Sequence, residues 1–116
     1  MHILITGGAG MLGQRLALAL LKRGYLENID STEAEITQIT LFDQHAPQPS
    51  LSHNSPVEIK TGDITNSETV HQLIADNIDV IFHLAAVVSG EAEQNFDLGM
   101  RVNLLATQNL LEACFH

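Results

Sequence analysis

"ILITGGAGMLG", residues 3–13, is an apolar run that stops at Thr6 and is followed by Gly7, Gly8, Gly10 and Gly13. His2 to Thr6 reads as a short buried strand. From Met11 the period changes: Leu12, Leu16, Ala19 and Leu20 recur at three- and four-residue steps, which predicts an amphipathic helix. Lys22 and Arg23 followed by Gly24 form its stop signal. The glycines therefore sit between a strand and a helix. In that context Gly7 permits the tight turn out of the strand. Gly10, lacking a Cβ, lets a pyrophosphate approach the backbone, and Gly13 lets the helix pack close to the sheet. The helix start supplies free N–H donors and the positive end of a dipole. A ligand-free tight turn would be served by two glycines. Four within seven residues cost much chain entropy and point to a nucleotide. Met11 and Leu12, at the start of the helix, join the glycines as candidate cofactor contacts. No Gly-Lys-Ser/Thr follows, which excludes a Walker-type phosphate loop.

Outward from this stretch, Glu27 to Glu35 is acidic and reads as a loop. Ile36 to Asp43 ("ITQITLFD") predicts a second strand. Gln44 to Pro56 holds all three prolines and reads as an exposed excursion. Val57 to Asp63 is a third strand. Thr65 and Glu68 have capping-box spacing, with Thr65 as the expected cap of a helix running to about Asn77. Asp79 to Ala86 is nearly all apolar, which predicts a fourth strand covered on both faces. A long helix is expected from about Ala92 to Cys114, with Leu98, Val102, Leu105 and Leu110 among its apolar positions. The alternation predicts one α/β domain over residues 1–116: a Rossmann-type open parallel sheet of strand order 3-2-1-4 with helices on both faces.

Asp43 ends the second strand. A carboxylate there can accept both ribose hydroxyls of an adenosine and would repel a 2′-phosphate, which favours NAD over NADP. It lies 30 residues beyond Gly13, against a usual spacing of about 20, and the acidic loop accounts for the excess. The plain structural alternative is a turn-starting Asp.

The bulk numbers exclude other classes. Net charge is −9 with only five Lys and Arg, so no basic footprint for nucleic acid exists. No apolar run reaches membrane-spanning length, and no secretory leader is visible. Cys114 is the single cysteine, which rules out an internal disulfide and fits a reducing, cytoplasmic setting. The six His show no metal-ligand spacing, so no metal is assigned. His83, on an apolar strand, reads as a hydrogen-bonded core histidine.

"TGGAGMLG" (Thr6 to Gly13), "FD" (Phe42 and Asp43), "GDIT" (Gly62 to Thr65), "HLAA" (His83 to Ala86) and "RVN…T…LLEA" (Arg101 to Ala113) occur in this order. Together they resemble the extended short-chain dehydrogenase/reductase family, the NAD-dependent epimerases and dehydratases, over residues 1 to about 113. The stretch from Phe82 to Asn103 is most similar to D-erythronate dehydrogenase-type members. The resemblance implies that Asp63 and Ile64 flank the adenine. It places Leu84, Ala85 and Ala86 along the cofactor, and Asn103 where the family fixes its central helix. Ala106 departs from a frequent family Gly, and its methyl should only tighten helix packing.

The same resemblance implies a catalytic Tyr-x-x-x-Lys pair, in which Lys lowers the pKa of the Tyr acid/base. Tyr25 is the only tyrosine and Ile29 stands four residues on, so the motif is absent and no catalytic residue is assigned. The expectation is an NAD-binding segment of a sugar or sugar-acid dehydrogenase or epimerase, truncated after the fourth strand and its helix and inactive alone. The alternative is a non-catalytic NAD-sensing or interaction module acting through a partner. Self-association through the long helix or the fourth-strand edge is also expected.

Overall fold

The computed structural model describes residues 1–46, 56–85 and 99–115. Strand β1 (His2–Thr6) leads through the glycines into helix α1 (Met11–Arg23). A small antiparallel ladder of β2 (Tyr25–Glu27) and β3 (Glu33–Glu35) follows, then β4 (Gln38–Asp43) and β5 (Val57–Thr61). Helix α2 (Ser67–Ile74) and β6 (Val80–His83) come next. A π-helical turn, Arg101–Leu105, runs straight into α3 (Ala106–Phe115).

The main sheet is parallel throughout, ordered β5-β4-β1-β6. This is the expected 3-2-1-4 order. Alternate side chains of β1 divide the core in two. Ile3 and Ile5 join Ile39 and Leu41 of β4 under Ala17 and Leu20 of α1. Leu4 and Phe42 face the other way, onto Val70 and Leu73 of α2 and Ala106, Leu110 and Ala113 of α3. Every residue of β1 is consequently buried. Two helical layers on opposite faces follow from that single alternation. The Ala106 methyl is fully buried against α2's side of the sheet, as a packing contact should be.

Several local expectations are corrected. The acidic stretch after α1 is a hairpin rather than a loop, because Tyr25, Leu26 and Glu27 pair with Glu35, Ala34 and Glu33. Its turn is closed by Asp30 and Asn28 bonds to Thr32, with Ser31 at φ 66°. The cap of α2 is Asn66, not Thr65: its Oδ1 accepts from the Thr69 N–H at 3.0 Å. Thr65 is instead engaged by Asp63, whose Oδ1 accepts from both its N–H and its hydroxyl. On α1 the buried stripe is Gly13, Ala17 and Leu20, while Leu12 and Ala19 are exposed. The fourth strand is half-buried along its whole length, not covered on both faces, because it is an edge strand of the sheet. Within the long-helix expectation, residues 92–98 lie outside the described residues. The rest is helical from Gly99, passes through the π-helical turn, and in α3 buries Ala106, Leu110 and Ala113 while leaving Leu111 exposed.

Among the described residues no helix is long and apolar enough to cross a membrane.

Candidate functional site

The carboxyl ends of β1, β4 and β6 form one crest. Gly7 leaves β1 at φ 72°, a conformation that costs other residues strain. It also lies against the end of β6: a Cβ there would stand 2.9 Å from the Ala85 nitrogen and the Leu84 carbonyl carbon. Gly8 presses onto Leu41, and its N–H donates to the Phe42 carbonyl at 3.1 Å. Gly13 brings α1 so close that a Cβ would meet the Gly7 oxygen at 2.5 Å. Gly10 differs from these three, since its Cβ would meet only the Gly7 oxygen at 3.4 Å, an ordinary contact. The Gly10 N–H closes the turn onto that oxygen at 3.1 Å.

Gly10 is the N-cap of α1, with no side-chain cap and no acidic residue in the first turn. Among the described residues, the first N–H donors of α1 thus have neither a side-chain cap nor a first-turn carboxylate. At its other end α1 carries Lys22 and Arg23, with Gly24 closing the helix in the left-handed region. Helix α2, by contrast, caps itself with Asn66 and carries Glu68 in its first turn. Met11 and Leu12 stand 72% and 67% exposed on the first turn of α1. Their position at the crest explains why the helical period assigned Leu12 to the core and the fold does not.

Asp43 reaches from the end of β4 to the glycine loop. Its Oδ2 accepts from the Ala9 N–H at 3.0 Å, and its Oδ1 from the Gln44 N–H at 2.7 Å. The Asp43 carbonyl accepts from the Gly62 N–H at 3.0 Å, which binds the end of β5 to the crest. Each carboxylate oxygen keeps a lone pair for a further donor. Gln14 adds a brace, donating from Nε2 to the Ala9 carbonyl at 2.8 Å.

On the other side, the Leu84 and Ala85 N–H groups donate to the Thr6 carbonyl and Thr6 Oγ1 at 3.1 and 3.2 Å. Thr6 Oγ1 also lies 2.6 Å from His83 Nδ1. His83 Nε2 lies 3.0 Å from Thr107 Oγ1 on α3. Burial pushes the His83 imidazole below the ordinary histidine value. The reading of His83 as a hydrogen-bonded histidine agrees with both ring contacts. Asn109 reaches across from α3, donating from Nδ2 to the Thr65 carbonyl at 3.1 Å.

The crest thus brings together Gly7, Gly10, Met11, Leu12, Gly13, Asp43, Leu84 and Ala85. Asp63 lies just beyond β5, holding the turn into α2. Ile64 is only 5% exposed, its side chain inside the second core beside Phe42 and Val70. Asn103 lies in the π-helical turn. Ala86 lies outside the described residues. Sequence reasoning missed Gly8, Thr6, Gln14 and Thr107. For Gly8 the signal was available, since it is the fourth glycine and fits neither turn nor phosphate approach. The others reveal their roles only through partners far along the chain. Among the described residues no three His, Cys, Asp or Glu side chains gather where a metal ion could sit.

Known proteins with this arrangement are numerous. D-erythronate dehydrogenase of Cupriavidus necator is 50% identical over 114 residues, covering 98% of this chain and 34% of that protein. D-erythronate dehydrogenase of Haemophilus influenzae is 40% identical over 115 residues, covering 98% and 33%. The chain thus spans about a third of the length of these curated relatives. Among solved structures, a nucleoside-diphosphate-sugar epimerase from Agrobacterium tumefaciens superposes with a TM-score of 0.81 at 38% identity, covering 97% of this chain and 32% of that one. UDP-glucuronic acid 4-epimerase from Bacillus cereus, in complex with UDP-glucuronic acid and NAD, superposes at 0.76 with 32% identity, covering 100% and 37%. Residues 3–116 match the NAD dependent epimerase/dehydratase family, and the chain belongs to that family.

Proposed function

We propose that the crest binds NAD, as the cofactor segment of an NAD-dependent sugar or sugar-acid dehydrogenase or epimerase. The observation that carries this reading is the open start of α1. Its N–H donors face the crest uncapped, beside the one glycine of the loop whose missing side chain leaves free space. An anionic pyrophosphate fits that place on charge and on size. Asp43 stands next to it with lone pairs directed past its own backbone bonds, suited to ribose hydroxyls and hostile to a 2′-phosphate. Leu84, Ala85 and Ala86 would line the cofactor on the β6 side, Asp63 and Ile64 on the β5 side. Bound NAD would supply the hydride acceptor. The chain's own residues bind and orient it, and no acid/base residue is assigned among them, so the 116-residue chain should not turn over a sugar or hydroxy acid. Isothermal titration with NAD and with NADP tests the assignment: NAD should bind more tightly. Equal or tighter binding of NADP removes the role from Asp43, and turnover by chain free of longer contaminants overturns the catalytic reading.

A second reading, an interaction module acting through a partner, draws on the outer side of β6. There a groove of about 520 Å³ runs between the sheet edge and the helices, lined by Ile74, Ile78, Ile81, Leu110, Leu111 and Cys114 among others. The occupant we propose is a second copy of this chain, paired along the β6 edge, which carries no Pro, Lys or Arg to blunt it. Sedimentation at micromolar concentration should show a dimer or larger species. A monomer without affinity for apolar dyes overturns this.

A further inference from the structure

Thr6, His83 and Thr107 stand on three elements, β1, β6 and α3, yet their polar atoms meet in one line. The Ala85 N–H donates to Thr6 Oγ1 at 3.2 Å, and that oxygen lies 2.6 Å from His83 Nδ1. On the far side of the ring, His83 Nε2 lies 3.0 Å from Thr107 Oγ1. The Thr107 hydroxyl in turn donates to the Asn103 carbonyl at 3.4 Å. A backbone N–H can only donate, so Thr6 Oγ1 receives from Ala85 on one lone pair and keeps its own proton available for Nδ1. A carbonyl can only accept, so Thr107 has given its proton away and must receive from Nε2. A neutral imidazole has one N–H; the Thr107 end of the line puts it on Nε2, and the Thr6 hydroxyl, free to donate to a bare Nδ1, accommodates that choice.

We propose that His83, as the neutral Nε2–H tautomer, is a positioning residue that ties the π-helical turn carrying Asn103 to the ends of β1 and β6. The line crosses 77 residues of sequence at one end, where the β1–β6 ladder already pairs Thr6 with His83, and 24 at the other, where it links the sheet to α3. A π-helical turn is an uncommon insertion in a helix. The Thr107 hydroxyl, four residues on, donates to the Asn103 carbonyl. Desolvation of the ring favours the uncharged form, in agreement with this assignment. The bond pattern stands by itself. Its bearing on cofactor affinity rests on the NAD reading above, because Ala85 and the glycine loop meet at the same Thr6.

The decisive measurement is two-bond proton–nitrogen correlation on the ligand-free chain labelled with ¹⁵N-histidine, with His83→Gln identifying the signals. Wild type at neutral pH should show a protonated, pyrrole-like Nε2 and a bare, pyridine-like Nδ1. A proton on Nδ1, an average of the two tautomers, or an imidazolium overturns the proposal, and no variant need fold for this result. Thr107→Val should abolish the single tautomer and speed amide exchange over residues 101–105, while Thr107→Ser keeps both as in wild type. A Val variant indistinguishable from wild type overturns positioning through Thr107. In NAD titration His83→Phe should lose tenfold or more in affinity. His83→Gln, which can still donate from near the Nε2 position, should recover most of it. Equal affinity of His83→Phe and wild type removes His83 from the cofactor site. Failure of wild type to bind NAD removes the function proposed above and leaves the tautomer result to decide this one.

Discussion

The crest over β1 and the outer flank of β6 belong to one sheet and are built in opposite ways. At the crest every backbone group is close to another: three of the four glycines have no room for a methyl, and Asp43 holds the loop through its own carboxylate. At the flank β6 is half-buried along its length, and a groove lies between it and α3. The difference comes from position in the sheet order. β1 has a strand on each side and a helical layer on each face. Among the described residues β6 has one neighbouring strand in the sheet and a partly covered second face. Tight packing lets the protein fix a loop to within tenths of an ångström. A flank without such constraint accepts substitution, and can also accept another chain.

Gly13→Ala against Gly10→Val breaks the comparison within the crest itself. Gly13→Ala forces a Cβ to 2.5 Å from backbone and should cost about 3 kcal/mol or more, read as a lost or lowered cooperative melt. Gly10→Val makes only an ordinary contact at its Cβ, 3.4 Å from the Gly7 oxygen, so the fold should lose only about 1 kcal/mol, from a poorer cap, while NAD binding disappears. A folded Gly10→Val chain with unchanged NAD affinity would move the pyrophosphate away from this loop.

The contrast between centre and flank is sharpened by Ile5→Ala and Ile81→Ala. Ile5 is fully buried between the sheet and α1, and its truncation should cost about 2–5 kcal/mol in chemical denaturation. Ile81 is half-buried in β6, so its loss should cost under about 2 kcal/mol. Equal costs would mean that the flank is covered in solution, which self-association would do.

Asp43→Ala carries a smaller effect on binding, about 1.5–3 kcal/mol of NAD affinity, the scale of a charge-assisted hydrogen bond. NADP should gain relative to NAD in the same titration. Because Asp43 also receives the Ala9 and Gln44 N–H groups, melting temperature should fall as well. Asp43→Asn, which keeps an acceptor, should restore stability more than it restores NAD preference.

The smallest effect is at the surface, where Lys60 on β5 pairs with Asp76 beyond α2. The Lys60 hydrogen bond, then its charge, holds the Asp76 carboxyl below its ordinary value. A folded-state value below the unfolded one stabilises above the unfolded carboxylate range, and the contribution is lost as pH falls through the folded value. Both partners are partly exposed, so Lys60→Ala should cost no more than about 1 kcal/mol at neutral pH. The cost should vanish in acid, as paired melts across the pH range would show.

The parts legible in the sequence were those with a local physical cause. The glycines between strand and helix announced the loop, and the apolar runs announced the four parallel strands. Helix α2's cap was off by one residue because Thr65, Asn66 and Ser67 are all competent caps and only geometry chooses among them. The hairpin was illegible since each of its strands has only three residues, too few for alternation to be read, and only Leu26 packs on the core. The half-covered state of β6 could not be read from its composition, because an apolar run looks the same at the centre and at the edge of a sheet. Ile64 and the Thr6–His83–Thr107 line depend on distant partners, which no local pattern reports.

The strand order also sets the timing of folding. β1 is the first strand made, yet its contact with β6 joins Thr6 to His83, 77 residues later. At synthesis rates of about 5–20 residues per second, β1 waits roughly 4–15 s for its β6 partner, and the α3 side chains that cover Leu4 come later still. Its Ile-Leu-Ile stretch passes that interval without its final cover. Non-local parallel pairing is slow because loop closure precedes any gain from contact. Refolding should therefore be rate-limited by docking of β6, with Ile81→Ala slowing the final phase while leaving the earlier pairing of β1 with β4 untouched. Of the described strands β1 comes first in the chain, and its cover is completed only by the later β6 and α3.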